Sequence, residues 1–129
     1  HNIETVVRLY PDVRPLADYR VSLGVLKNIK EINPGMTTKS SILLGMGETE
    51  AEVINTMKDL RGSNCDILTL GQYLAPPARH YPVKEFIPPE KFNRYEVIAR
   101  DLGFKAVLSG PLVRSSYQAR EVYRKICMT

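Results

Sequence analysis

Three short apolar runs, each closed by a polar or glycine-rich turn and separated by stretches with helical periodicity, restrict this chain to one class of architecture. The runs are Ser41-Ile42-Leu43-Leu44 before Gly45, Asp66-Ile67-Leu68-Thr69-Leu70 before Gly71, and Lys105-Ala106-Val107-Leu108 before Ser109-Gly110. Apolar residues on consecutive positions suit a strand covered on both faces, as in a parallel sheet; a half-solvated strand would alternate. Between the first two runs, Thr49-Glu50-Ala51-Glu52 supplies a capping box, and Val53, Met57 and Leu60 share one helical face. Between the second and third, Pro89 opens a helix on which Phe92, Tyr95, Ala99 and Leu102 align. Upstream, Tyr19 to Asn33 carries Val21, Val25, Ile29 and Ile32 as a stripe expected to face the core, with Asp18 as cap and Pro34 as stop. A last helix is predicted to begin near Ser115 or Ser116.

Strands alternating with helices imply right-handed βαβ crossovers and hence the α/β class. A closed eight-stranded barrel takes about 250 residues. With 129 residues the chain supplies only three or four strands, so half of a (β/α) partial barrel, one domain over 1–129, describes it best. Its start at His1-Asn2-Ile3-Glu4 reads as the end of a strand belonging to a longer protein, so the chain is expected to be a fragment.

Composition removes several alternatives. At 43% hydrophobic and 25% charged residues, disorder is a poor description, and 18 Lys plus Arg against 14 Asp plus Glu is too small an excess for a dedicated nucleic-acid binder. No run of about 18 apolar residues and no secretory leader pattern is present. Cys65 and Cys127 form neither a CxxC motif nor a disulfide framework, which favours a reducing compartment, and two cysteines do not hold an iron–sulfur cluster alone.

Parallel α/β folds place their sites at the C-terminal ends of the strands. Here those ends read His1-Asn2-Ile3-Glu4, Gly45-Met46-Gly47-Glu48-Thr49, Gly71-Gln72-Tyr73, and Ser109-Gly110-Pro111 leading to Arg114-Ser115-Ser116-Tyr117. Gly45 and Gly47 allow close approach to a flat ligand, and the helix start beyond them offers N–H groups to oxygen atoms. Read alone, this is compatible with plain turn chemistry or with a non-catalytic module that binds a nucleotide or anion. Ser115 with Gln118 is likewise a capping box, and His80, in a loop whose Pro76, Pro77, Pro82 and Pro88 exclude regular structure, has no partner at zinc-ligand spacing.

Taken together, His1-Asn2-Ile3-Glu4-Thr5, Leu9-Tyr10-Pro11, Val13-Arg14-Pro15, Lys30-Glu31-Ile32-Asn33-Pro34, Leu44-Gly45-Met46-Gly47-Glu48-Thr49, Cys65 to Leu74, His80-Tyr81-Pro82-Val83 and Ser109 to Tyr117 resemble the C-terminal portion of lipoyl synthase, a radical S-adenosylmethionine family. The resemblance implies a six-stranded partial barrel with two [4Fe-4S] clusters, one binding S-adenosylmethionine and one donating sulfur. It implies a sulfurtransferase that inserts sulfur at C6 and C8 of octanoyl-lysine. The substrates would be lipoyl-carrier domains, either of 2-oxoacid dehydrogenases or of the glycine cleavage H protein, with ferredoxin or flavodoxin as electron donor. Neither membrane nor nucleic acid enters that reaction. The compartment would be the cytoplasm in a bacterium, and the mitochondrial matrix or plastid in a eukaryote.

The same resemblance makes Ser116 the non-cysteine ligand of the sulfur-donating cluster, where a hard oxygen gives one labile corner among soft thiolates. It assigns Gly45, Gly47 and Glu48 to the cofactor wall and Asn2 and Glu4 to the ribose hydroxyls or amino group. Gln72 and Tyr73 would border the adenine, and Arg20 the methionine carboxylate. The cysteine motifs of both clusters are absent from the chain, so these residues alone are expected to be inactive.

Overall fold

The structure is a computed structural model that describes residues 1–77 and 81–115. His80, Ser116, Cys127 and the predicted last helix lie outside the described residues.

Three parallel strands, β1 (Lys39–Leu44), β2 (Ile67–Gln72) and β3 (Ala106–Ser109), lie side by side in that order, with Ile42 opposite Leu70 and Leu68 opposite Val107. Helix α3 (Glu50–Gly62) connects the first pair and α4 (Pro89–Asp101) the second, the βαβ arrangement that the alternating pattern predicts. Beyond β1, Glu4 forms a parallel bridge to Ile42: its N–H donates to the Ser41 carbonyl at 2.9 Å and its carbonyl accepts from Leu43 at 2.8 Å. The chain's first residues thus run along the outer edge of β1. Between them and β1 come a 3-10 turn (Val7–Leu9), the short helix α1 (Tyr10–Val13) and α2 (Tyr19–Ile32).

Local chemistry fixes the helix ends. Asp18 caps α2 by accepting from Val21 N–H at 3.1 Å. The Thr49/Glu52 capping box is closed in both directions, at 3.2 and 2.9 Å. Pro89 occupies the first turn of α4, where its missing N–H is not needed.

Pleating sorts the strand residues onto two faces. Ile42, Leu44, Leu68 and Leu70 are fully buried with Leu26, Val53, Met57, Leu60, Phe92 and Tyr95 in one core. The alternate phase, Ser41 and Leu43 beside Thr69 and Gly71, forms the other face, on which Thr69 Oγ1 donates to Ser41 Oγ at 2.8 Å.

One helix face differs from expectation. On α2 the stripe Val21, Val25, Ile29 and Ile32 is not the core face: Val21 is 63% and Ile32 85% exposed, whereas Tyr19, Leu23 and Leu26 are buried. Tyr19 makes the choice, packing edge-on against Tyr10 and donating to Asp59 of α3 at 2.6 Å.

At the N-terminal ends of the strands Asp66 is a structural hub. Its carboxylate accepts from Thr38 N–H at 2.9 Å and pairs with Lys30 at 2.5 Å and Lys105 at 3.5 Å, tying α2 and β3 to the start of β2.

Candidate functional site

At the opposite, C-terminal end of the sheet a cavity of about 270 Å³ opens between Glu4, Arg14, Leu43, Met46, Tyr73 and their neighbours Val13 and Pro76. Three separate segments converge there: the edge residues before β1, the short helix α1, and the residues at and after the ends of β1 and β2. Glu4 sits at φ +70°, in the left-handed region that a residue with a Cβ adopts only when its surroundings hold it. The hold is visible, since both backbone groups of Glu4 bond β1 and Tyr10 Oη donates to the adjacent Ile3 carbonyl. Burial raises the pKa of Glu4, against an opposing pull from the Arg14 charge and an Asn2 hydrogen bond. Arg14 is anchored by Asn2 O at 3.3 Å and Tyr10 Oη at 3.2 Å, and lies over the Tyr10 ring. The cavity thus carries a carboxylate and a guanidinium on one small mouth, with apolar walls behind them.

The glycine turn beside it is rigidly braced. Gly45 and Gly47 adopt φ +100° and +99°, and Glu48 folds its carboxylate back onto the N–H groups of Gly45, at 3.1 and 3.0 Å, and Met46, at 2.9 Å. The turn's donors are therefore occupied by its own side chain, and at the helix start, where the sequence leads one to expect free N–H groups, those of Thr49 and Glu52 are taken up by the capping box. Arg8 grips the turn from outside through the Gly47 carbonyl at 2.9 Å and the Glu52 carboxylate at 2.7 and 3.0 Å. That pairing, with the Thr49 N–H, pulls the Glu52 pKa down to about 2.

Gln72, 5% exposed, is turned away from the cavity. Its amide donates to the carbonyls of Tyr73 at 2.9 Å and Glu85 at 3.0 Å and accepts from Ile87 N–H at 2.9 Å, pinning the end of the proline-rich loop against β2. Gly71 has a comparable contact on the other face. A Cβ built there meets the Val113 carbonyl at 2.1 Å, so the approach to Arg114-Ser115 runs directly across the sheet surface that bears Leu43.

The structure thus brings Glu4, Tyr73 and the backbone of Asn2 together at the cavity, and gathers Gly45, Gly47, Glu48 and Gln72 into the brace next to it. It does not bring Arg20 to the cavity; that residue stacks on the Tyr19 ring and lines an adjoining groove, which shares Arg14 with the cavity. Sequence reasoning missed Arg14 and Met46 as cavity residues. Arg14 follows a four-residue helix with no periodicity to read, and its signals are its place between Pro11 and Pro15 and the Val13-Arg14-Pro15 segment of the resemblance, neither of which gives it a role.

No family model matches the chain. Curated proteins do: it is 55% identical over 125 residues to the lipoyl synthase of Alkaliphilus metalliredigens, covering 97% of the chain and 43% of that protein. It is 60% identical over 119 residues to the lipoyl synthase of Caldanaerobacter subterraneus, covering 92% of the chain and 42% of that protein. The chain is homologous to lipoyl synthases. A mitochondrial lipoyl synthase of Aedes aegypti is 56% identical over 124 residues, 95% of the chain and 32% of that protein. The chain therefore spans about two fifths of the length of the bacterial lipoyl synthases it matches, and the parallel α/β sheet is consistent with part of a radical S-adenosylmethionine barrel. No helix among the described residues is long and apolar enough to cross a membrane.

Proposed function

We propose that this chain is part of a lipoyl synthase and that its cavity of Glu4, Arg14, Leu43, Met46 and Tyr73 forms one wall of the S-adenosylmethionine site. The observation that carries the reading is the pairing of opposite charges on one apolar-walled cavity at the C-terminal strand ends, in a chain homologous to lipoyl synthases. The residues fit that cofactor. An amino-acid zwitterion needs a carboxylate for its amino group and a guanidinium for its carboxylate, which Glu4 and Arg14 supply, and Arg14 replaces Arg20 in this role. Leu43, Met46 and Tyr73 offer apolar surface to the thioether and base. At about 270 Å³ the cavity falls just short of the ~300–1,000 Å³ of small-molecule sites, so it takes part of the ligand rather than all of it.

The described residues do not fit an iron–sulfur cluster. Among them no three His, Cys, Asp or Glu side chains converge, and Cys65 is buried at the far end of the sheet. Ser116 as a ligand of the sulfur-donating cluster remains part of this proposal. What supports it is the family resemblance, together with the course of the described chain at Val113 and Arg114 over Gly71, on the sheet face that bears Leu43.

When bound and reduced, S-adenosylmethionine supplies the hydrogen-abstracting radical for sulfur insertion into an octanoylated lipoyl-carrier domain. The chain's own residues bind and orient it and keep the turn at residues 45–48 in place. Occupation of the Gly45 and Met46 N–H groups by Glu48 counts against the rival reading, a simple anion-binding glycine turn. The test is full-length protein reconstituted anaerobically with iron and sulfide, and mass spectrometry of an octanoylated carrier domain. Gain of two sulfur atoms with wild type, and its loss with Arg14→Ala, is expected; no added sulfur with a fully loaded wild-type enzyme would overturn the proposal.

A further inference from the structure

The Tyr81-Pro82-Val83 segment is part of the sequence resemblance, yet none of its side chains lines the cavity. It runs instead from one cavity wall to another. Tyr73, a lining residue, donates its hydroxyl to the Tyr81 carbonyl at 2.7 Å, and the two rings meet edge to face at 6.4 Å. Tyr81 in turn donates its hydroxyl to the carbonyl of Met46, a second lining residue, at 2.8 Å. Three residues on, Lys84 N–H bonds the Gly45 carbonyl at 2.8 Å, and the Lys84 amine lies 5.7 Å from the Tyr81 ring centre.

The turn that Tyr81 grips needs such a grip. Two glycines in three residues give it high intrinsic backbone freedom, and nothing but Lys84 Cγ lies within 4 Å of a Cβ built on Gly47. Glu48 closes the turn from within, Arg8 grips it from outside, and the Gly45 carbonyl accepts from the Lys84 and Glu85 N–H groups; among the described side chains Tyr81 adds the link that runs from the Met46 carbonyl to the Tyr73 ring and hydroxyl.

We infer that Tyr81 is a positioning residue, a latch whose hydroxyl holds the Met46 wall at a fixed separation from the Tyr73 wall and so sets affinity for the cavity's ligand. The ligand's identity rests on the S-adenosylmethionine reading above, whereas the latch itself does not. In full-length protein, Tyr81→Phe removes only the hydroxyl and keeps the ring. One hydrogen bond of ordinary net strength corresponds to about a fivefold change in an opening equilibrium. Amide exchange of the peptide spanning residues 45–48 should quicken by about fivefold, S-adenosylmethionine binding should weaken by a similar factor, and the thermal midpoint should fall by no more than about 4 °C. Tyr73→Phe should loosen the same peptide, and the double variant should be no looser than the worse single one, because the two hydroxyls act in series. A residue with a merely structural role would lower the midpoint without this selective loosening. Unchanged exchange at residues 45–48 in Tyr81→Phe, or strictly additive effects in the double variant, would overturn the latch. Quickened exchange in a protein that binds no S-adenosylmethionine would uphold the latch and sink only the ligand assignment.

Discussion

Replacing Gly45 by alanine tests the braced turn more sharply than any other single change. The residue sits at φ +100°, where a Cβ costs about 1–2 kcal/mol from local sterics alone. A Cβ there would also stand 2.3 Å from the Glu85 carbonyl and 2.4 Å from Gln72 Nε2, against about 3.5 Å for an ordinary contact, so the loop end must retreat by roughly 1 Å. That retreat breaks at least one of the three hydrogen bonds of the buried Gln72 amide, at about 1–3 kcal/mol for each group left unsatisfied. Together the two effects predict a loss of about 2–5 kcal/mol, the upper end of which few point substitutions reach.

Gly47→Ala is the matched control. It shares the backbone conformation, at φ +99°, but its Cβ meets only Lys84 Cγ, at 3.7 Å, so only the steric part of about 1–2 kcal/mol applies. Chemical unfolding of the two full-length variants, followed by amide exchange of residues 81–87, separates the contributions. Equal destabilisation of the two, with the loop end as protected in Gly45→Ala as in wild type, would mean that the Glu85 and Gln72 contacts do not constrain Gly45.

Three further outcomes follow from the same geometry. Asp66→Asn should cost about 3–5 kcal/mol at pH 7 by denaturant titration, because it strands the 13%-exposed Lys30 amine without its counter-charge. Burial pushes the Asp66 pKa up, but Lys30, the Thr38 N–H and Lys105 outweigh it and hold the value below the ordinary one. Its stabilisation is therefore present above the unfolded-state pKa and lost as pH falls through the folded value, so the gap between wild type and variant should close in strong acid; a gap independent of pH would contradict this. For Glu4 the sign is reversed: the folded pKa is raised, so the native state gains stability as pH falls through that raised value toward the unfolded one. Glu4→Gln should then be at least as stable as wild type at pH 7 in a thermal melt, and a loss above about 1 kcal/mol would count against the buried-carboxylate account. Burial pushes the Cys65 thiol up to about 12, so an alkylating reagent at pH 8 should label it only on unfolding, and rapid labelling of native protein would disprove its enclosure.

How much of this was legible in the sequence depended on whether the decisive interaction was local. The Asp18 cap, the Thr49/Glu52 capping box and the Pro89 start involve residues within one turn, and each forms as its spacing predicts. The burial of Val53, Met57 and Leu60 on α3 and of Phe92, Tyr95 and Ala99 on α4 was equally readable, because each helix carries one apolar stripe. On α2, Val21/Val25/Ile29/Ile32 and Tyr19/Leu23/Leu26 both satisfy the helical period, and the choice is made across 40 residues by the Tyr19–Asp59 contact.

The site shows the same division. Strand ends pointed to Glu4 and Tyr73 at the cavity and to Gly45 in the turn beside it, because in a parallel sheet those positions follow from topology. Arg14 was hidden because a proline-bounded turn carries it in from outside the strand–helix rhythm. Glu48 and Gln72 drew attention for their polarity, but their side chains fold back onto backbone groups, a preference that composition and spacing do not encode. Ser116 stands on family resemblance, and the described residues reach only to its neighbour.

Whether the Glu4 and Arg14 cavity binds S-adenosylmethionine is read directly by calorimetric titration of that ligand into reconstituted full-length protein. Loss of one charge-assisted contact is worth about 1.5–3 kcal/mol, so Glu4→Gln should bind at least about tenfold more weakly than wild type while remaining folded. Equal affinity in the two proteins would contradict the account.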